Sequence, residues 1–96
     1  MIDDFKEKEI RNAILNKIQP KKISKGKHWK GSIYIGDKFI GKVTIPNNHD
    51  RIMHESKSQY IADSLRLLDH QFNDLVKCPL KGPAYYKIQE NIENPL

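Results

Sequence analysis

The sequence predicts an α+β domain, a small antiparallel sheet with two helices on one face in the order α-β-β-(β)-α, followed by a C-terminal extension. Three observations predict it. Isoleucines recur at a helical step near the N-terminus, two runs of β-forming residues flank a Gly-Asp pair, and an apolar stripe at steps of three and four runs through the second half. At 96 residues the chain is read as one domain, 1–96, with its core over about 4–78 and an extension over 79–96.

The first helix is expected over 4–18. Ile10, Ile14 and Ile18 fall on one stripe with Ala13 beside them. Asp4 with Glu7 three residues on reads as an N-cap pair that suits the helix dipole. Gln19-Pro20 ends it, because proline pushes its predecessor out of the helical region. Residues 21–27 read as either a loop or a short edge strand. A hairpin follows, with Ile33, Tyr34 and Ile35 on one strand and Phe39, Ile40, Val43, Thr44 and Ile45 on the other. Gly36-Asp37 suits a two-residue turn with glycine first, which pairs Ile35 with Lys38. In that register neither face is clearly polar. A β-bulge at Gly41 repairs the pattern, gathering Ile33, Ile35, Ile40, Val43 and Ile45 on one side and His28, Lys30, Ser32, Tyr34 and Phe39 on the other.

Residues 47–55 are a polar connection, and Ser56 with Gln59 reads as a capping box. Ile61, Leu65, Leu68, Phe72 and Leu75 then predict one amphipathic helix over 57–77, about 31 Å long at 1.5 Å per residue. Such a helix could also serve as the seam of a homodimer. Cys78-Pro79 ends it. In the extension, Lys81-Gly82-Pro83 signals a turn and Ala84 to Gln89 a strand.

Charge separates the function classes. The formal net charge is +5, from 17 Lys and Arg against 12 Asp and Glu. Between Ile10 and Gly36 stand Arg11, Lys17, Lys21, Lys22, Lys25, Lys27 and Lys30 with no carboxylate, so the excess is local. A clustered positive field attracts polyanions through counterion release, which makes RNA or another nucleic acid the expected partner. A dinucleotide fold is excluded for want of length and a Gly-rich loop. The chain has no run of about 18 apolar residues, so no spanning helix and no membrane partner is expected. The N-terminus MIDDFKEKEI has no apolar stretch of a signal peptide, and a lone Cys78 makes no disulfide framework, which fits a cytoplasmic protein. No cofactor is expected. His49 and His54, five apart beside Asp50 and Glu55, read as part of the polar connection and not as a metal site. The carboxylates Asp3, Asp4, Glu7, Glu9, Glu90 and Glu93 read as solvated charge.

One constellation remains, Lys25-Gly26-Lys27-His28-Trp29-Lys30-Gly31. Histidine titrates near neutrality, so His28 could act as general acid or base on a ribose 2′-hydroxyl or a leaving 5′-oxygen. Lys21, Lys22, Lys25, Lys27 and Lys30 would bind phosphates, and Trp29 or Tyr34 could stack an unpaired base. The competing class is a non-enzymatic nucleic-acid- or protein-binding module, such as a phage or mobile-element regulator or inhibitor.

Helix, Lys25-Gly26-Lys27-His28, a hairpin ending Val43-Thr44-Ile45-Pro46, and a second helix together resemble the HicA family of toxins. The likeness covers about residues 8–68. That resemblance implies a double-stranded-RNA-binding-domain-like fold, an mRNA endonuclease activity with His28 as the catalytic histidine, and a neutralising antitoxin as protein partner. His49 or His54 would stand near the family's trailing histidine. Lys27 and Trp29 replace the Ser and second His of the family's Lys-Gly-Ser-His-His. A rival register aligns Lys30-Gly31-Ser32 with Lys-Gly-Ser and leaves Ile33 at the catalytic position.

Overall fold

A computed structural model describes residues 1–46, 51–77 and 79–94. In chain order it contains β1 (Phe5–Lys6), α1 (Glu7–Ala13), a π-helical turn (Ile14–Ile18), β2 (Lys22–Ser24), β3 (His28–Ile35), β4 (Lys38–Pro46), β5 (Ile52–Met53), α2 (Glu55–Ser64), α3 (Asp69–Lys77) and α4 (Gly82–Glu93). The fold is α+β. β2, β3 and β4 form an antiparallel sheet in that order, and β1 pairs with β5 in a second, two-stranded one.

The hairpin follows the expected register at its tip. Ile35 lies opposite Lys38, Tyr34 opposite Phe39, and Gly36 takes a φ of 59° at the first central position of the turn. Ile33 then pairs with Gly41, which leaves Ile40 as the extra residue. The bulge therefore sits one residue before the expected Gly41 but has the same effect on the faces. Trp29, Ile33, Ile40, Val43 and Ile45 are buried on one side, and His28, Lys30 and Lys42 are exposed on the other. Each fully buried aliphatic side chain contributes about 1.5–3 kcal/mol, so this register is strongly held. α1 and α2 pack on β4, and α4 packs on β3.

The first helix starts later than expected. Residues 5–6 belong to β1, paired through Phe5 with Met53, and Lys6 is the N-cap. Glu9, three residues on, accepts the Lys6 backbone N–H at 3.1 Å, in place of the Asp4–Glu7 pair. Glu7 is buried and accepts the Arg51 backbone N–H at 3.1 Å, so it is not solvated charge. The second helix also starts early, at Glu55 with His54 as N-cap, so Ser56 does not cap it.

The long helix expected over 57–77 is two helices. Arg66 adopts a φ of 57°, the Arg66 N–H donates to the Asp63 carbonyl at 3.0 Å, and the Leu67 N–H donates to the Ala62 carbonyl at 3.0 Å. This is a Schellman ending with arginine at the left-handed position that glycine usually takes. The Gln71 side chain then accepts the Leu68 N–H at 2.9 Å and starts α3. The break keeps Leu67, at the margin of the expected stripe, in the core but leaves Leu68 from its centre exposed, and it interrupts the continuous helix proposed as a homodimer seam.

The segment expected as a strand in the extension is the helix α4, started by Pro83 in its first turn. It is part of the core. Tyr85 and Gln89 are fully buried, and their side chains donate to the Leu65 carbonyl at 3.1 Å and the Arg66 carbonyl at 3.3 Å. α4 thus satisfies the carbonyls that the α2–α3 break exposes. Tyr86 donates to the Ile18 carbonyl at 2.5 Å and ties α4 to the π-helical turn.

Candidate nucleic-acid interface

Strand parity builds the candidate site. β2 pairs Lys22 with Ser32 and Ser24 with Lys30, and β4 pairs Lys42 with Ser32 and Thr44 with Lys30. Directly opposed residues share a face, so Lys22, Lys30, Lys42 and His28 lie on the sheet face away from the core. Lys25 and Lys27, in the short β2–β3 connection, are exposed beside that face. Tyr34 and Phe39 close its far end as an edge-to-face pair, centroids 5.5 Å apart at 72°. Phe39 is 53% exposed, which leaves apolar ring surface at the end of a cationic strip.

Of the seven cations between Ile10 and Gly36, five gather here and two do not. Arg11 donates to the Pro46 carbonyl at 3.1 Å and holds the end of β4. Lys17 donates to the Leu75 carbonyl and joins the π-helical turn to α3. Lys21 lies 5.2 Å from the Tyr34 ring centre and 3.8 Å from Asp37, a solvent-exposed ion pair worth little. Among the described residues, none of Lys22, Lys25, Lys27, Lys30 and Lys42 forms an ion pair with a carboxylate. The acid nearest the hairpin from α4, Glu93, is committed to Lys38 at 2.5 Å and to Arg66. Those two hydrogen bonds, from Lys38 first, hold its carboxyl well below the usual range, at about 2.

Trp29, read from the sequence as a stacking ring, is only 4% exposed and packs into the core. Its indole lies over Gly31, where a Cβ would stand 3.2 Å from the ring and 3.0 Å from Pro20. Tyr34 is half-buried and Lys21 occupies part of its ring. Phe39 is therefore the better platform, and sequence reasoning had placed it on the right face without counting it in the site. Lys42 was missed as well, although the bulge that turns Val43 and Ile45 inward turns Lys42 and Thr44 outward.

His28 opens β3 opposite Pro46 and is exposed. Lys27 precedes it, and Lys30 follows on the same face about 7 Å along the strand. It stands at the mouth of a cleft of about 390 Å³ between the β3–β4 end and α2, with Thr44, Ser56, Lys57 and Tyr60. His49 and Cys78 lie outside the described residues. His54 is the exposed N-cap of α2, and among the described residues no three His, Cys, Asp or Glu side chains gather where a metal ion could bind. Among the same residues no helix is long and apolar enough to cross a membrane.

The fold and site define an α+β protein with a cationic, aromatic-ended sheet face. In comparison with known proteins, the chain matches no family model, no curated protein and no solved structure.

Proposed function

We propose that the protein binds RNA through the exposed face of the β2–β3–β4 sheet and the β2–β3 connection. The observation that carries this reading is the composition of that face. Lys22, Lys30 and Lys42 share it with His28 and the Tyr34–Phe39 pair, and its strand positions hold no carboxylate. Lysines bind the sugar-phosphate chain without regard to sequence, and an exposed ring offers a stacking surface to any unpaired base. Unpaired RNA satisfies both, whereas a duplex would hide its base faces from Phe39. The order α1, β2, β3, β4, α2, apart from the short β5 that pairs with β1, supports a double-stranded-RNA-binding-domain-like arrangement, in keeping with the HicA resemblance.

The experiment is fluorescence anisotropy of a labelled, unstructured RNA oligonucleotide across a salt series. Five lysines, at roughly 0.7 per phosphate on single strands, give a log–log slope of about −3.5 and about a hundredfold loss of affinity between 50 and 200 mM salt. Lys22→Glu with Lys30→Glu should flatten that slope and weaken binding at low salt. Absence of binding in dilute buffer, or a slope indifferent to the double variant, overturns the proposal.

A second reading, endoribonuclease action, is favoured by the place of His28 in the lining of the cleft together with Lys57. In that reaction neutral His28 takes the proton of a ribose 2′-hydroxyl as its oxygen bonds to phosphorus. The phosphorus–5′-oxygen bond breaks, and the leaving oxygen takes a proton from water or a lysine ammonium. The products are a 2′,3′-cyclic phosphate and a 5′-hydroxyl. A toxin neutralised by a protein antitoxin is the biological setting this chemistry suits. His28→Ala should abolish cleavage and retain RNA binding. Cleavage that persists in the variant removes His28 from catalysis, and a parent protein that never cleaves is a binding module.

A further inference from the structure

We propose that the cleft between the β3–β4 end and α2 seats one unpaired nucleotide, with Tyr60 against its base and Lys57 at its phosphate. The inference rests on the RNA-binding reading and adds residues from an element, α2, that the sheet face does not contain.

Three features of the cleft point to that occupant. Its volume of about 390 Å³ falls within the range of roughly 300–1,000 Å³ that small-ligand sites occupy. Its polar lining is His28, Thr44, Ser56, Lys57 and Tyr60, two hydroxyls and a phenol beside an imidazole and an ammonium, and among the described residues no carboxylate lines it. Among the described residues Lys57 makes no ion pair, so its charge is available to an anion. Tyr60 is 68% exposed although it belongs to a helix whose Ile61 and Ala62 are buried. An aromatic ring left in water at the rim of a cationic cleft offers a stacking face at little cost, since it is already ordered on a helix.

Position supplies the last part. Thr44 pairs with Lys30 and His28 with Pro46, so the cleft opens at the end of the same strip that carries Lys22, Lys30 and Lys42. A strand lying on the sheet face would pass His28 and turn its next base toward Tyr60. The hydroxyls of Thr44 and Ser56 can exchange hydrogen bonds with a ribose 2′-hydroxyl, a contact that DNA lacks.

The test uses the full chain, with adenosine 5′-monophosphate, uridine 5′-monophosphate and inorganic phosphate as probes in amide and aromatic NMR titrations. Both nucleotides should move the resonances of His28, Ser56, Lys57 and Tyr60, and phosphate alone should move those of Lys57 with little effect on Tyr60. Tyr60→Leu should lose the nucleotide shifts and weaken binding of an RNA oligonucleotide by about 5- to 150-fold, the range that loss of one stacked base gives. Lys57→Gln should lose the phosphate response. Because both side chains are exposed, the variants should keep the parent's circular dichroism. If Tyr60→Leu binds RNA as tightly as the parent while Lys22→Glu with Lys30→Glu does not, the cleft proposal fails and the sheet-face reading stands. If the double variant also binds unchanged, both fail. Nucleotide shifts confined to Tyr34 and Phe39 likewise overturn the cleft.

Discussion

Replacing Tyr85 by Phe removes one oxygen atom from the centre of the molecule and tests how the α2–α3 break is held. The Tyr85 ring is buried and stacks edge-to-face on Tyr86 at 5.2 Å, and phenylalanine keeps both features. What is lost is the donor to the Leu65 carbonyl, 3.1 Å away, at a point where α2 has already ended. A net hydrogen bond is worth about 0.5–1.5 kcal/mol and a stranded buried acceptor about 1–3, so the expected cost is about 1–2 kcal/mol at pH 7. For a chain of this size that lowers the thermal midpoint by about 5–15 °C. Urea unfolding followed by the emission of Trp29 and by circular dichroism measures it, with the m-value unchanged. A pH series adds a second arm. Burial pushes the Tyr85 phenol up, and Tyr86 beside it pushes the same way. A raised pKa means that the protonated phenol stabilises the fold fully below about pH 10 and that this contribution fades as pH climbs above it. The parent should therefore lose stability above pH 10 faster than Tyr85→Phe, and the gap between them should narrow. Tyr86, also raised by burial, titrates in both proteins, so of its contribution only the interaction with Tyr85 enters the difference. A variant within about 0.3 kcal/mol of the parent at pH 7, or a gap that stays constant through pH 11, would refute the reasoning.

Three further outcomes are expected. Gly82→Ala should destabilise the protein by about 1–3 kcal/mol, because a Cβ there overlaps the Lys17 carbonyl oxygen; a gain in the thermal midpoint, as helix propensity alone would give, contradicts the close approach. Glu93→Gln should remove part of the acid sensitivity of folding. The Glu93 carboxylate, held at about 2 by Lys38 and Arg66, stabilises the fold above the ordinary carboxylate range near pH 4.5 and loses that effect as pH falls toward 2. Parent and variant unfolding curves that run parallel over that interval would exclude the effect. Trp29, finally, should emit as a buried indole, resist acrylamide quenching and stay unchanged in wavelength when RNA is added; strong quenching by RNA would return it to the interface.

The hairpin was legible in the sequence because two independent constraints meet there. Gly36 sets the turn, and the need for one apolar side demands a bulge, so pairing and faces follow within one residue of those observed. The helix break was not legible. The apolar stripe runs on at steps of three and four across residues 61–75, and adjacent Leu67 and Leu68 let either continue it. Nothing at Arg66 announces a left-handed residue, since glycine or asparagine normally does so. What holds Arg66 there is remote in sequence, with Gln89 on its carbonyl and Glu93 on its guanidinium. α4 was hidden for a related reason. Its buried polar residues Tyr85 and Gln89 break the apolar pattern because they serve the carbonyls of the α2–α3 break. In the site, the lysines of β2 and β3 were readable as a run, but Lys57 and Tyr60 reach the cleft only through the packing of α2 on β4.

Trp29 shows how closely the core and the cationic face are coupled. It lies between His28 and Lys30 in sequence and shares strand parity with Ile33, and parity decides its side. The alternation that buries Trp29, Gly31 and Ile33 turns His28, Lys30 and Ser32 to the other face, and across the bulge at Ile40 the same rule buries Val43 and Ile45 and turns Lys42 and Thr44 outward. Without that extra residue, Val43 would face Lys30 and Ile45 would face His28 on the outer side, while Lys42 and Thr44 turned into the core. Two aliphatic side chains would go to water and an unpaired ammonium would be buried, a loss of several kcal/mol from the aliphatic side chains alone. The cationic face is therefore not an independent decoration of the sheet. It is the complement of the core, and the bulge that keeps the interior apolar also keeps Lys42 beside Ser32 and in line with Lys22.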